Sequence, residues 1–369
     1  MNGKLPERLC QPVRKGNYNK MESLTIRQIV EAVSGDLLTG NPEQNIDRIS
    51  TDSRKLEPGA MFFALIGENF DGHDYVHEAV KKGAAALIID RNIEVETDVA
   101  KIKVDDTTQA LQDLANYYRR LWSDLKIIGI TGSAGKTTTK DMIASILNQK
   151  YSVLKTSGNL NNYYGVPLTL LSLTGKEDFA VLEMGMSNLG EIKLLAEIAE
   201  PQIGVITNVG PTHLENLKTV ANVARGKREL IEKLPQNSLA VLNYDNDYVR
   251  EMINYFDGDK CIYYGLNDKS DIYATDIEKY QDSIIFRVNY KNESIDIKLN
   301  KPGRHNIYNA LSAIAIAREY CLSWNQIQTG LLNLKLSSLR MDIIEHNHIT
   351  IINDTYNANP LSMKAGIDV

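Results

Sequence analysis

Apolar residues recur at helical spacing over residues 24–35, where Leu24, Ile26, Ile29, Val30 and Val33 fall on one side of the pattern. Residues 47–66 then alternate short apolar runs with turn signals and end in the apolar MFFALIG. His77–Lys82 reads as a helix and AAALIID (84–90) as a buried strand. These elements make a small α/β unit over 21–105. TTQALQDLANYYRRLW is an amphipathic helix within a linker over 106–124.

A longer series begins at residue 125. KIIGITG (126–132), FAVLEMGM (179–186), IGVITNVG (203–210) and LAVLNYD (239–245) read as strands. Helical patterns at 136–149, 190–199 and 219–234 separate them. Alternating strands and helices predict βαβ units and a mostly parallel sheet, so the fold class is α/β. Functional groups in such sheets gather at the carboxyl ends of the strands. Residues 272–299 alternate apolar and polar positions, as an antiparallel meander does. Residues 305–321 and 325–334 return to helix, and HITIIND (348–354) reads as a strand.

Composition narrows the class. With 43% apolar and 24% charged residues over 369 positions, the chain has the balance of a globular protein. No stretch approaches the ~18–20 apolar residues of a membrane span. A net charge of −6 argues against a nucleic-acid partner. Cys10, Cys261 and Cys321 are far apart and lack CxxC spacing, which fits a reducing cytoplasm. Residues 1–20 lack the apolar core of a signal peptide and read as a disordered extension or an upstream start; Met21 opens the first regular pattern.

The strongest chemical signal is Gly129-Ile-Thr-Gly132-Ser133-Ala134-Gly135-Lys136-Thr137-Thr138-Thr139. It follows an apolar strand and opens a helix, the setting a phosphate loop requires. Glycines let backbone amides turn onto phosphates, and the helix N-terminus adds a favourable dipole. Lys136 would reach the β- and γ-phosphates and the Thr137 hydroxyl would ligate Mg²⁺. The loop departs from the common G-x4-GK[ST] spacing, because Ile130 stands five before Gly135.

Other candidates are weaker on their own. Glu183, at a strand tip, could hold Mg²⁺ or be an ordinary surface carboxylate. His213, just past a strand end, could be a ligand or a solvated cap. Lys227 lies on a charged helix, where a lysine is normally solvated. The adjacent Gly226 costs about 1 kcal/mol of helix propensity and suggests a packing or access requirement. Asn306 and Asn309 share a helical face and could read a base edge or cap the helix. The amide-rich run Asn159-Leu-Asn161-Asn162 could be a binding loop or a turn.

Taken together, TGSAGKTTTKD, EMGMSNLGEI, TNVGPTHLE and GRHNIYNALSAIA follow in the order seen in the Mur ligases of bacterial cell-wall synthesis. The resemblance runs from about Met21 to the C-terminus and includes the unusual loop spacing. NDTYNANPLSM (353–363) and GNLNNYYGVPLTLL are similar to the member that joins D-alanyl-D-alanine to UDP-N-acetylmuramoyl-tripeptide. Thr51-Asp52-Ser53-Arg54, Gly67 and Asp71-Gly72-His73 resemble the family's UDP-sugar-binding domain.

The resemblance implies a role for each candidate. The loop residues Gly132, Ser133, Ala134, Gly135, Lys136, Thr137 and Thr138 would bind ATP. Thr137 and Glu183 would hold a first Mg²⁺, and His213 and Lys227 a second, with Lys227 carbamylated into a carboxylate-like ligand. Asn306 and Asn309 would face the adenine. Arg340 would contact phosphate, although its SSLRMDI setting departs from the family's usual PGR. Asp354, Tyr356 and Asn357 would sit where a third domain meets the nucleotide. Ser53, Arg54, Gly67 and His73, with Asn159, Asn161 and Asn162, would bind the UDP-linked substrate.

The implied reaction is ATP-dependent amide formation through an acyl phosphate, by a monomeric cytoplasmic enzyme. The family's domain plan implies a central ATP-binding domain over 125–336. Residues 337–369 would be only the start of a Rossmann-like third domain, an expectation that would leave ligation impaired. The alternatives are a sister ligase, a folylpolyglutamate-type enzyme, a non-catalytic nucleotide-binding module, or a common P-loop NTPase. NANP and the N-terminal unit argue against the first two. The last lacks an evident Walker B aspartate.

Overall fold

The computed structural model describes residues 20–95, 99–335, 342–346, 349–353, 355–358 and 360–367. The N-terminal sheet has six strands: β1 (Lys20–Thr25), β2 (Asp36–Thr39), β3 (Asn45–Ser50), β4 (Met61–Phe63), β5 (Ala86–Ile89) and β6 (Ala100–Lys103), in the order β1-β3-β4-β5-β6-β2. Its four central strands are parallel, with β1 and β2 antiparallel at the edges. Helices α1 (Ile26–Val33) and α2 (Val76–Lys81) belong to this domain. Leu24, expected in the first helix, lies in β1 instead. Thr25 ends the strand and starts α1 through a capping box, its hydroxyl accepting from the Gln28 amide while the Gln28 side chain accepts from the Thr25 amide.

Helix α3 (Thr107–Arg120) leads into the second domain. It is a buried connector rather than a solvated linker: Leu111, Leu114, Ala115 and Tyr118 are fully buried in a core that reaches both domains. The Tyr118 hydroxyl accepts from the Glu22 amide at 2.7 Å and donates to the Leu173 carbonyl at 2.6 Å. One side chain thus ties β1 to the central domain.

The central sheet contains β7 (Lys126–Thr131), β8 (Val153–Lys155), β9 (Phe179–Glu183), β10 (Ile203–Ile206), β11 (Leu239–Asn243), β12 (Lys260–Gly265), β13 (Ile272–Lys279), β14 (Ile284–Tyr290) and β15 (Glu293–Leu299). The order is β15-β14-β13-β12-β11-β10-β7-β9-β8. Strands β8 to β13 run parallel with β7, and β13-β14-β15 form the expected antiparallel meander. The connecting helices are α4 (Lys136–Leu147), α5 (Gly165–Leu170), α6 (Glu191–Ala199), α7 (Leu214–Leu217), α8 (Val220–Glu232) and α9 (Asp247–Arg250). Helices α10 (Arg304–Glu319) and α11 (Trp324–Leu332) follow the meander.

Helices α4, α10 and α11 share one core with Ile128, Ile130, Val181 and Val205. Helices α3, α5, α6 and α8 pack in the other, with Ile127, Leu182 and Leu242. From β7 the chain crosses over β9 to reach β8, and from β9 it crosses over β7 to reach β10. The direction of winding therefore reverses around β7, and the loop after β7 opens into the crevice where α/β sheets bind ligands.

Strands β2, β6, β8 and β12 are among those that escaped the hydrophobic pattern. β2 is mostly exposed, β8 has three half-buried residues, and β12 mixes exposed, intermediate and buried positions. Each is held by its neighbours' hydrogen bonds rather than by a clear apolar signature. Helix α5 was also unforeseen within the amide-rich segment. A short hairpin, β16 (Asp342–His346) with β17 (Ile349–Asn353), and α12 (Pro360–Ile367) end the described chain.

Candidate functional site

The chain turns from β7 to α4 through residues 132–135. A Cβ on Gly132 would overlap the Thr207 hydroxyl oxygen, and one on Gly135 (φ 83°) would lie 2.6 Å from Asn309 Oδ1. Both positions need glycine, one for close approach and one also for its left-handed backbone.

The loop is laced to the segment after β10. The Ser133 and Ala134 amides donate to Asn208 O and Asn208 Oδ1 at 3.0 and 2.9 Å. Asn208 Nδ2 and the Thr207 hydroxyl both donate to the Ala134 carbonyl, at 3.1 and 2.6 Å. Ser133 Oγ donates to Gly210 O at 3.1 Å and accepts from Gly210 N at 3.0 Å. Two loop amides therefore face β10. The first turn of α4 carries no side-chain cap at Gly135, and an uncapped helix N-terminus of this kind suits an anion. Lys136 and Thr138 lie on this turn, and Lys136 Nζ reaches back to Gly132 O at 2.9 Å.

Beside this turn, the Thr137 hydroxyl donates to Glu183 Oε2 at 2.8 Å. Asn161 Nδ2 donates to Glu183 Oε1 at 2.9 Å, and the Glu183 amide donates to Thr156 Oγ1 at 3.0 Å. Glu183 is only 3% exposed, so this carboxylate is fixed rather than a surface group. Among the described residues no three His, Cys, Asp or Glu side chains converge on one point. A cation here would take hard oxygen donors from Thr137 and Glu183 and complete its shell with phosphate or water, which is how Mg²⁺ is usually held.

Lys227, on the charged helix α8, is 2% exposed, contrary to the usual solvated position. Burial and then the nearby Lys136 ammonium push its pKa well down. Gly226 explains how the helix comes so close, since a Cβ there would lie 2.6 Å from Met186 Sδ. His213, exposed at the start of α7, has its pKa lowered by burial, then by Lys227 and Lys136. Lys136, Lys227 and His213 thus lie in one another's field, and a polyanion would relieve their repulsion.

The α10 amides are engaged internally. Asn306 Nδ2 donates to Pro302 O at 2.7 Å, Asn309 Nδ2 to Asn306 Oδ1 at 3.3 Å, and the Thr139 hydroxyl to Asn309 Oδ1 at 3.2 Å. The pair holds α10 against the loop and α4.

The N-terminal candidates lie apart from this cluster. Ser53 is buried, donating to Glu78 Oε2 at 3.0 Å, while the exposed Arg54 pairs with Asp52 at 2.9 Å. Gly67 leaves room for the Phe70 ring. His73 is buried between Asp71 (2.7 Å) and Asp90 (3.1 Å), with Arg91 beside it, so its ring is committed within the domain. The Tyr164 hydroxyl donates to Ile66 O at 3.2 Å, which brings the 159–164 segment against the Gly67 loop. Asn162 caps the start of α5 by accepting from the Tyr164 and Gly165 amides; Asn159 is exposed. Tyr356 and Asn357 are exposed; Arg340 and Asp354 lie outside the described residues.

Sequence reasoning missed Asn208 as the fastener of the loop, and Thr156 and Lys140 as supports of the Glu183 segment. Asn208 had a readable signal, a polar residue directly after the β10 apolar run. Lys140 had only its helical spacing from Lys136, and Thr156 had none.

Residues 130–317 match the Mur ligase middle domain, and residues 45–119 match the Mur ligase family catalytic domain. The chain belongs to the Mur ligase family. This Mur ligase is 38% identical over 348 residues to the UDP-N-acetylmuramoyl-tripeptide–D-alanyl-D-alanine ligase of Bacillus subtilis (strain 168), covering 94% of this chain and 75% of the relative. It superposes on a crystal structure of MurF from Acinetobacter baumannii with a TM-score of 0.89 and 35% identity, over 94% of this chain and 76% of that one. The MurF ligase of Thermotoga maritima, solved in complex with ADP, gives a TM-score of 0.79 at 31% identity, over 87% and 74%. No helix among the described residues is long and apolar enough to cross a membrane.

Proposed function

We propose that this Mur ligase joins D-alanyl-D-alanine to UDP-N-acetylmuramoyl-tripeptide at the expense of ATP. The observation that carries the reading is the Thr137–Glu183 contact of 2.8 Å beside the uncapped N-terminus of α4. That arrangement offers oxygen donors for a cation and an anion-binding helix end at one point. The D-alanyl-D-alanine substrate is supported by the identity to relatives of that name.

In the proposed reaction, an oxygen of the tripeptide's terminal carboxylate attacks the γ-phosphorus of ATP and ADP leaves. The D-alanyl-D-alanine amine then attacks the acyl carbon, inorganic phosphate leaves with the bonding pair, and the amine loses a proton. Phosphoryl transfer depends chiefly on positioning and charge neutralisation. Lys136 would swing from Gly132 O to the β- and γ-phosphates. Thr137 and Glu183 would hold one Mg²⁺, with His213 and carbamylated Lys227 holding a second; these ions would neutralise phosphate charge. Asn161, already on Glu183, would link the substrate loop to this centre. Ser53, Arg54 and the Gly67 loop would face the UDP-linked substrate, and Asn306 and Asn309 would shape the adenine side.

The test is ADP release with both substrates present, set beside calorimetric ATP binding. Lys136→Ala should lower turnover by about a hundredfold or more and weaken ATP binding. Near-normal turnover in this variant, or ADP release indifferent to D-alanyl-D-alanine, overturns the reading. Carbamylation should appear as a bicarbonate-dependent mass gain that Lys227→Met lacks.

A further inference from the structure

Lys140 lies one helical turn beyond Lys136 on α4 and is 1% exposed. Its ammonium donates to the Thr156 carbonyl at 3.0 Å and lies 3.4 Å from Asp141 Oδ1. Asp141, also 1% exposed, accepts from Lys155 at 2.6 Å. Thr156 is fully buried; its amide donates to Val181 O at 3.0 Å, and its hydroxyl oxygen accepts from the Glu183 amide at 3.0 Å. A continuous set of bonds therefore runs from α4 through Thr156 to the last residue of β9.

Burying an ammonium is costly even when it is paired, and an apolar side chain would hold α4 on the sheet as well. What an apolar chain cannot do is reach a specific carbonyl. Thr137 and Glu183 come from separate elements 46 residues apart, yet they stand 2.8 Å from each other. Keeping that spacing requires the helix carrying Thr137 to be fastened to the segment carrying Glu183. Lys140 is also close enough to Glu183 for their charges to attract.

We propose that Lys140, acting through Thr156, is a positioning residue for the cation site formed by Thr137 and Glu183; this rests on the reading of that pair as Mg²⁺ ligands. A residue that only stabilises the fold would alter ATP binding alike with and without metal. A positioning residue alters the metal-supported part.

The experiment measures ATP affinity of the chain by calorimetry, in excess Mg²⁺ and in excess EDTA, beside the thermal midpoint. Lys140→Met should bind about tenfold more weakly with Mg²⁺ and within about twofold of the parent in EDTA. Thr156→Val, which removes the oxygen that accepts from Glu183, should repeat that pattern, and Thr156→Ser should restore parent behaviour. Equal losses in both media, or no loss with Mg²⁺, overturn the proposal. If Lys140→Met does not fold, Lys140→Arg, which keeps the charge but displaces the donor from the Thr156 carbonyl, takes its place and should show the same selective loss with Mg²⁺. Glu183→Gln separates the two ideas. If it leaves Mg²⁺-supported affinity unchanged, the cation reading itself fails. If it removes that affinity while the Lys140 and Thr156 variants do not, only the positioning role fails.

Discussion

The Thr137 hydroxyl donates to Glu183 Oε2 at 2.8 Å and so joins the first turn of α4 to the end of β9. Thr137→Val keeps the shape and removes the donor. Glu183 would retain Asn161 as a partner but lose one hydrogen bond, a cost of about 1–3 kcal/mol for a buried charged acceptor. The thermal midpoint should fall modestly, and Mg²⁺-supported ATP affinity should fall further. Unchanged ATP affinity in a folded variant would place the nucleotide's cation elsewhere.

The Asn208 side chain both accepts from and donates to the phosphate loop. Asn208→Asp keeps the acceptor for the Ala134 amide, loses the donor to the Ala134 carbonyl and adds a negative charge beside the phosphates. ATP affinity should drop by about tenfold or more, and more than in Asn208→Ala, which adds no charge. A titration comparing the two variants checks the order.

Among the described residues, the Lys227 side chain has no hydrogen-bond or ion-pair partner, although the residue is 2% exposed. A buried ammonium without a carboxylate opposes folding. Lys227→Met should therefore raise the stability of the metal-free protein, by roughly 1 kcal/mol or more, while lowering ligase turnover. Denaturant unfolding checks the first half and ADP release the second. A less stable Met variant would show that the ammonium is compensated.

Glu200 joins α6 to α3, accepting from Arg120 Nε at 2.8 Å and Asn116 Nδ2 at 3.3 Å, with Arg119 nearby. Burial acts to raise its pKa, but the Arg120 and Asn116 hydrogen bonds and the arginine charges outweigh it and leave the pKa lowered. A carboxylate depressed on folding stabilises the native state above its unfolded pKa and loses that contribution as pH falls through the folded value. The gap in thermal midpoint between the parent and Glu200→Gln should be full above the ordinary glutamate pKa of about 4.3 and shrink as pH falls below it through the depressed folded value. A gap that widens in acid would contradict the assignment.

The main alternation of strands and helices, the parallel core, the meander and the phosphate loop were legible because each rests on local periodicity or on a short motif. Glycines before Lys136, at the junction of an apolar strand and a helix, already mark a tight strand-to-helix turn of the phosphate-loop kind, but not that the Ser133 and Ala134 amides turn onto Asn208. Burial and pairing were not legible, since they depend on neighbours far away in the chain. Lys227 reads as a solvated lysine on a charged helix until Gly226 lets α8 close on Met186. His73, expected from the resemblance to contact the UDP-linked substrate, is enclosed by Asp71 and Asp90 within its own domain. Strand β12 acquires its identity only from β11 and β13 on either side. The sequence by itself thus determined the α/β order and the chemistry of the loop. Tertiary structure decided that Thr137 should meet Glu183 and that Asn208 should fasten the loop, because parallel packing brings distant strand ends to one edge of the sheet.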